Sequence, residues 1–158
     1  MKTKIEKALL EASINTFEDV CFMYTAPELK DTQKNLTLEA ASEVKFRGDF
    51  TGRLVIETRG GLFSAIAANI LSSEIPSSQK KKDALGEIAN IICGNILPYL
   101  SHSRQGYKIE SPTSLKKDEI KKEMKEKPMA EITLNFNEGR ADIKFYVDGY
   151  LAAKETTR

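Results

Sequence analysis

Hydrophobic positions along the chain change their spacing from one segment to the next. They recur every three or four residues in 3–23 and 80–99, which predicts two long amphipathic α-helices. Residues 62–71 are mostly small or apolar, a composition typical of a short, mostly buried helix. Alternation of apolar and polar residues predicts strands. It occurs, in part or in full, in 36–46, 52–58, 107–111, 129–136 and 141–147.

Turn residues separate these elements. Gly60-Gly61 ends the second strand, and Asn137-Glu-Gly139 joins the last two strands into a hairpin. Pro98 removes one backbone donor, so the long helix is expected to kink or end near Leu97. Residues 114–127 are almost purely charged, and they indicate a solvated helix or mobile insertion at the surface rather than a binding tail.

The order of the elements favours one fold class. Each half of the chain runs from a helix to strands, which hints at a duplicated unit of roughly 75 residues, although the local sequences do not align. A chain of 158 residues is long enough for one well-buried core. We therefore interpret 1–158 as a single domain, with a disordered tail over 150–158. Helices packed on a mainly antiparallel sheet, an α+β fold, are the class that the pattern favours.

Charge and cysteine content exclude several functions. The chain has 24 basic and 23 acidic residues, a net charge of +1, and so lacks the global field that binds nucleic acid or an anionic membrane. No apolar run approaches the about 18 residues of a membrane span. Cys21 and Cys93 stand apart in apolar segments and are expected to be reduced and buried. A cytoplasmic protein that binds neither nucleic acid nor membrane is expected.

Histidine content limits the catalytic chemistry. His102 is the single histidine, and the two cysteines are not paired, so the usual zinc ligand sets cannot be assembled. Ser-His or Cys-His nucleophile chemistry would depend on that one residue. We therefore expect no metal or cofactor of the chain's own.

The second long helix carries the most informative pattern. A rotation of about 100° per residue places its aliphatic residues on one broad side. Asp83, Glu87, Asn90 and Gly94 fall on the opposite side within about 60° of one another, and Gly86 borders them. The helix is therefore predicted to present a narrow polar stripe.

Two glycines on or beside this stripe need an explanation. Each glycine inside a helix costs on the order of 1 kcal/mol relative to alanine. Gly86 and Gly94 can admit a binding partner that approaches closely, or a neighbouring helix of the same protein with Glu87 and Asn90 merely solvated. Spacing alone leaves both alternatives open.

The same residues carry a family resemblance. The stretch Asp83-Ala-Leu-Gly-Glu87-Ile-Ala-Asn90-Ile-Ile-Cys-Gly94-Asn95 resembles the signature helix of the CheC/CheX/FliY chemotaxis phosphatases. Their motif is Glu-x-x-Asn within a helix, followed by a glycine. The match is closest to the CheX branch, which has a single functional motif and the same order of elements. The resemblance implies a CheX-like, pseudo-symmetric α/β sandwich.

The resemblance also implies an activity. Family members hydrolyse the aspartyl phosphate of a response regulator such as CheY, and the regulator supplies Mg²⁺ and a lysine. Asn90 would orient the attacking water, and Glu87 would engage the lysine of the partner. Asp83, Gly86 and Gly94 would then lie in the partner-binding surface. CheX proteins are homodimers joined through sheet edges, and the last hairpin and 36–46 contain candidate strands.

Two other functions come into question for such a chain. A non-catalytic CheX-like module could dock on a response regulator or another signalling protein, although both motif residues are intact. A flagellar switch component of the FliY type would need a further domain, for which 158 residues leave no room. On the first helix, Glu11 and Asn15 share a face, but their spacing of four does not match the motif, so a degenerate second site is not favoured.

Overall fold

The computed structural model describes residues 2–26, 35–71, 75–100 and 106–148. Its helices are α1 (Lys2–Cys21), α2 (Leu62–Leu71), α3 (Ser78–Ile96) and α4 (Lys117–Glu123). Its strands are β1 (Leu38–Arg47), β2 (Gly52–Gly60), β3 (Lys108–Ile109), β4 (Thr113–Ser114), β5 (Ala130–Phe136) and β6 (Gly139–Val147). His102 and the tail predicted over 150–158 lie outside the described residues.

Six strands form one antiparallel sheet. The strand order is β3-β1-β2-β6-β5, and β4 pairs with the same outer edge of β1 as β3. The two long hairpins, β1–β2 and β5–β6, meet where β2 pairs with β6 from Gly52↔Val147 to Gly60↔Gly139. The sheet edges formed by the described residues are therefore β5 on one side and the short strands β3 and β4 on the other.

Three helices cover one face of the sheet. α1 precedes the first hairpin but packs on β5, while α3 precedes the second hairpin but packs on β1. This exchange relates the two halves of the chain by a pseudo-twofold arrangement, in keeping with the predicted duplication. The core between the layers includes Phe17, Ile88, Ile92, Ile56 and Phe145, all fully buried.

The opposite face of the sheet carries α4. Glu123 of this helix contacts Tyr146 and Lys144 of β6, whose side chains alternate with those of Ile143 and Phe145 in the core beneath the other helices. The interpretation of 114–127 as a wholly solvated surface segment is therefore wrong at two positions, because Ile120 and Glu123 are buried. Contacts with the outer face of β6, including those of the buried carboxylate of Glu123, hold this segment in place.

Most boundaries agree with the predictions from the sequence. The α+β class is confirmed, and the hairpin over β5 and β6 falls where alternation predicted it. α3 ends at Ile96 and continues as a 3₁₀ turn over Leu97–Tyr99, as Pro98 predicted. The strand predicted over 107–111 is reduced to the two residues of β3.

Candidate functional site

The helix that holds the predicted motif is fixed at its start and along one side. Ser77 caps α3 by accepting a hydrogen bond from the backbone N–H of Lys80 at 3.2 Å, and this satisfies one of the unpaired donors of the first turn. The buried residues of α3 contact α1, α2 and β1. They are Ala84, Leu85, Gly86, Ile88, Ala89, Ile92, Cys93 and Ile96.

The opposite side of α3 is open, as the helical rotation predicted. Asp83, Glu87 and Gly94 are exposed, and Asn90 is half-buried. Asp83 accepts a hydrogen bond from the side-chain amide of Gln79 at 2.8 Å. Within the described ranges, no residue forms a hydrogen bond or ion pair with the side chain of Glu87 or Asn90. The carboxylate and the amide, one turn apart, are therefore available to a second molecule.

A wall of the same chain runs along one side of this open face. A Cβ atom built on Gly86 would lie 2.8 Å from Cβ of Pro112 and 3.7 Å from Oγ of Ser42. A Cβ built on Gly94 would lie 3.7 Å from Cδ1 of Ile109. The segment that contains β3 and β4 therefore lies beside α3 from Gly86 to Gly94, next to the side on which Asn90 is half-buried.

The structure accounts for one of the two glycines. The close approach that Gly86 permits is made by Pro112, so the intramolecular alternative holds at this position, although the neighbour is a loop residue and not a helix. Gly94 is exposed. A Cβ atom at this position would lie at an ordinary contact distance from Ile109, so the fold does not require glycine there. Contact of either glycine with a partner stays a prediction. Asn95, the last residue of the matching stretch, is exposed.

The first helix presents a comparable but separate pair. Glu11 and Asn15 are both exposed on α1, one turn apart with the spacing of four noted from the sequence. They and the pair on α3 belong to different helices that pack against each other. No observation assigns them a function.

Sequence reasoning missed the groups that lie beside the site. Pro112 and Ser42 come from a loop and from β1, and no spacing in the sequence links them to α3. Gly86 was the signal that something approaches the helix closely, but a glycine does not identify the segment that does so.

In residues 2–26, 35–71, 75–100 and 106–148, no group of three or more His, Cys, Asp or Glu side chains is arranged to hold a metal ion. No helix among these residues is both long and apolar enough to cross a bilayer.

The side chains of Glu87 and Asn90 are suited to positioning a bound molecule rather than to removing a proton from it. An amide offers both a donor and an acceptor and does not titrate, and a carboxylate accepts from a cation or a water. Both are mounted on a rigid helix, which holds its side chains more accurately than a loop. An exposed helix face of this kind meets the surface of another macromolecule more readily than it encloses a small ligand.

Comparisons with known proteins agree with this class of domain. The sequence profile of the family described as chemotaxis phosphatase CheX matches residues 40–136, more than half of the chain. The chain belongs to the CheX family. A search of curated proteins finds no significant match to the sequence.

Solved structures of CheX proteins share the fold. Chemotaxis protein CheX from Vibrio vulnificus has a TM-score of 0.68 at 15% identity, covering 94% of this chain and 99% of that chain. CheX from Desulfovibrio desulfuricans has a TM-score of 0.65 at 18% identity, covering 92% and 99%. A CheX-CheY-BeF3-Mg²⁺ complex from Borrelia burgdorferi has a TM-score of 0.61 at 17% identity, covering 89% and 96%.

Proposed function

We propose that this protein is a phosphatase that hydrolyses the aspartyl phosphate of a CheY-like response regulator. The observation that carries the proposal is the pair Glu87 and Asn90, one turn apart on the open face of α3. Membership of the CheX family supports a role related to CheY, and so does a similar structure that contains CheY and Mg²⁺.

Asn90 is proposed to orient the attacking water. Its side-chain oxygen accepts one hydrogen of the water, and this directs a lone pair of the water towards phosphorus, in line with the leaving carboxylate. The amide carries no charge that would repel the phosphoryl group. Asn90 is half-buried, and a side chain held in one orientation is what catalysis by positioning requires.

Glu87 is proposed to dock the two proteins. Its exposed carboxylate would pair with a lysine at the active site of the regulator, and this pair would set the depth and register at which Asn90 enters. Since Asp83 and Gly94 lie on the same open face, they would border the contact. Gly86 would act indirectly, by letting Pro112 close against the helix.

The regulator is proposed to bring the rest of the chemistry. Mg²⁺ held by the regulator would stabilise the charge that develops on the phosphoryl oxygens. An acyl phosphate is already reactive, so this chain needs no nucleophile, base or metal of its own. The free, buried thiols of Cys21 and Cys93 accord with the cytoplasmic setting proposed for this reaction.

A homodimer is proposed on the family resemblance. Among the described residues, β1 and β6 each have neighbours on both sides, so of the strands considered from the sequence β5 is the one with an open side there. The backbone N–H of Ala26 already donates to Asn135 O on that side, which leaves the first part of β5 for pairing. Sedimentation equilibrium of wild type and of Glu131→Pro would test this, with a dimer expected only for wild type.

The experiment for the phosphatase mixes the protein with phosphorylated candidate regulators from the same source. Loss of regulator phosphate is followed with time at catalytic amounts of the protein. Multiple turnovers with one regulator are expected. Binding of a phosphorylated regulator with an unchanged phosphate lifetime would instead assign the domain as a docking module.

A further inference from the structure

One segment of the chain touches both the functional helix and the opposite face of the sheet. Residues 106–129, here called the strap, begin beside α3, pass the edge of β1 and cross the outer face as α4 before joining β5. The strap is hydrogen-bonded to β1 at two points outside its short strands. Glu110 N–H donates to Lys45 O and Leu115 N–H donates to Ala41 O, both at 2.9 Å.

The near end of the strap supports the proposed site. Pro112 lies against Gly86, and Ile109 lies beside Gly94, so this end forms the wall along the open face of α3. The carbonyl of Thr113 is 3.5 Å from Oγ of Ser42. A displacement of this end would free the side of α3 next to Asn90.

The far end of the strap is anchored by buried charges. Glu123 is 4% exposed and Glu57 of β2 is 1% exposed. Lys144 Nζ lies 3.2 Å from Glu57 Oε2 and 3.8 Å from Glu123 Oε1. The hydroxyl of Tyr146 donates to Glu123 Oε1, while Glu123 Oε2 is buried without a hydrogen-bond partner among the described atoms. Two buried carboxylates thus share one lysine.

Other charged groups surround this anchor. Arg59 of β2 lies near Glu57, with its Nη2 atom 3.9 Å from Glu57 Oε1. Asp142 of β6 stands opposite Glu57. Its carboxylate pairs with Arg59 at 3.2 Å. Arg140 of β6 also pairs with Asp142, at 3.1 Å. Asp142 is thus held by two arginines, and Arg59 reaches Glu57 only at the longer distance, so Lys144 is the nearest cation to both Glu57 and Glu123.

The remaining neighbours lie on the strap side. The guanidinium of Arg53 lies 4.0 Å from the ring centre of Tyr146. It also forms ion pairs with Glu126 of the strap at 2.5 Å and with Glu43 of β1 at 3.3 Å. Glu131 of β5 stands opposite Lys144 and is exposed. Arg53 is therefore engaged by two carboxylates of its own and does not balance Glu57.

A shared proton would relieve the repulsion between the buried carboxylates of Glu57 and Glu123. Burial raises the pKa of Glu57 most, the hydrogen bond with Glu123 raises it further, and Lys144 opposes both, so that the pKa is about 7. A protonated Glu57 can donate to a Glu123 oxygen while its other oxygen accepts from Lys144. When Glu57 ionises, two buried carboxylates repel each other and the donor to Glu123 is lost.

We propose that the strap is a proton-controlled brace of the functional helix: ionisation of Glu57 beside the buried Glu123 releases residues 106–129 as a unit and withdraws Pro112 from Gly86. The effect on catalysis requires the phosphatase activity proposed above, whereas the release itself does not. At acid pH the strap is closed, and as the pH rises through 7 it opens more often.

Hydrogen exchange of three strap amides tests the release. The amides of Glu110, Leu115 and Ile120 report the near end, the middle and α4, and each is hydrogen-bonded. After correction for intrinsic exchange, the opening constant of wild type is expected to rise about tenfold between pH 6 and pH 8 at all three, because Glu57 keeps its proton only when the strap is closed.

Variants decide whether Glu57 causes the change. Glu57→Gln keeps a donor for Glu123 and an acceptor for Lys144, so its strap opening is expected to be independent of pH. Glu11→Gln, which removes an exposed carboxyl on α1 away from the strap, is the control and is expected to behave as wild type. Glu123→Gln removes the other carboxylate and is also expected to abolish the pH dependence. It replaces Glu57→Gln in this test if Glu57→Gln does not fold.

The outcomes are distinct. Equal pH dependence in wild type and Glu57→Gln, or opening of α4 without the Glu110 amide, would overturn the brace.

The ratio of Glu57→Gln to wild-type dephosphorylation rates cancels the regulator's own pH dependence. This ratio is expected to be near one at pH 6 and several-fold at pH 8. A constant ratio would overturn the link to catalysis, and absence of turnover in both proteins, with the exchange results as expected, would refute the proposed phosphatase alone.

Discussion

Pro112 lies so close to Gly86 that a Cβ atom added to the glycine would come within 2.8 Å of Cβ of the proline. Gly86→Ala must therefore push the proline away. Overpacking of this kind costs about 1–3 kcal/mol, against a gain of about 1 kcal/mol from helix propensity. A lower free energy of unfolding is expected in urea titrations, together with slower dephosphorylation by the folded fraction.

Gly94→Ala is the matched control on the same helix. Its new Cβ would lie at the ordinary distance of 3.7 Å from Ile109, so stability is expected to stay equal or to rise by up to about 1 kcal/mol. If a regulator approaches the helix closely at Gly94, this variant also binds the regulator more weakly. Unchanged regulator affinity would remove Gly94 from the proposed contact.

Reversal of charge at Glu87 tests the docking contact. Glu87→Lys places a cation against the proposed lysine of the regulator, and such like-charge contacts cost several kcal/mol at an interface. The KM for phosphorylated regulator is expected to rise on the order of 100-fold. Glu11→Lys makes the same change on the exposed face of α1 and is expected to leave KM unaltered. An equal effect of both variants would indicate a general field rather than a contact.

The buried Glu57 makes stability depend on pH. Its pKa of about 7 in the folded protein lies above the ordinary value of about 4.3 in an unfolded chain. The folded state therefore binds more protons between these values, and the free energy of unfolding falls as the pH rises. Relative to Glu57→Gln, wild type is expected to lose about 2.5 kcal/mol between pH 5 and pH 8. The urea midpoints of both proteins at both pH values measure this loss. An equal change of midpoint with pH in wild type and Glu57→Gln would contradict it.

Both thiols are expected to be unreactive in the folded protein. Burial raises the pKa of Cys21 and of Cys93 to about 12, so the thiolate is scarce at pH 8. Labelling by a thiol-specific disulfide reagent should be about 1000-fold slower than for free cysteine, and rapid in denaturant. Fast labelling of the native protein would show that one of these helices opens readily.

The layers of the fold were predictable because each has its own periodicity. The alternation in β5 and β6 and the helical spacing around Ile88 follow directly from burial on one side of each element. The open face of α3 was predictable for the same reason. Glu87 and Asn90 are apart from the apolar side, whatever the helix packs against.

The position of the strap was not predictable from local pattern. Glu123 stands in a run of charge, and only Lys144 and Tyr146, some twenty residues later on the outer face of β6, make its burial possible. A pairing between sequence-distant residues leaves no periodic signal. The one available hint was Tyr146, a large aromatic residue at an outward position of a strand.

The most direct test of the central claim compares Asn90→Ala with Asn95→Ala. Asn90 belongs to the motif on α3, and Asn95 follows the motif on the same helix. Asn95 is exposed on another side of the helix. The initial rate of regulator dephosphorylation is measured at saturating phosphorylated regulator. Loss of the oriented water is expected to slow Asn90→Ala on the order of 100-fold, with regulator binding retained and Asn95→Ala equal to wild type. Full activity of Asn90→Ala would contradict the account.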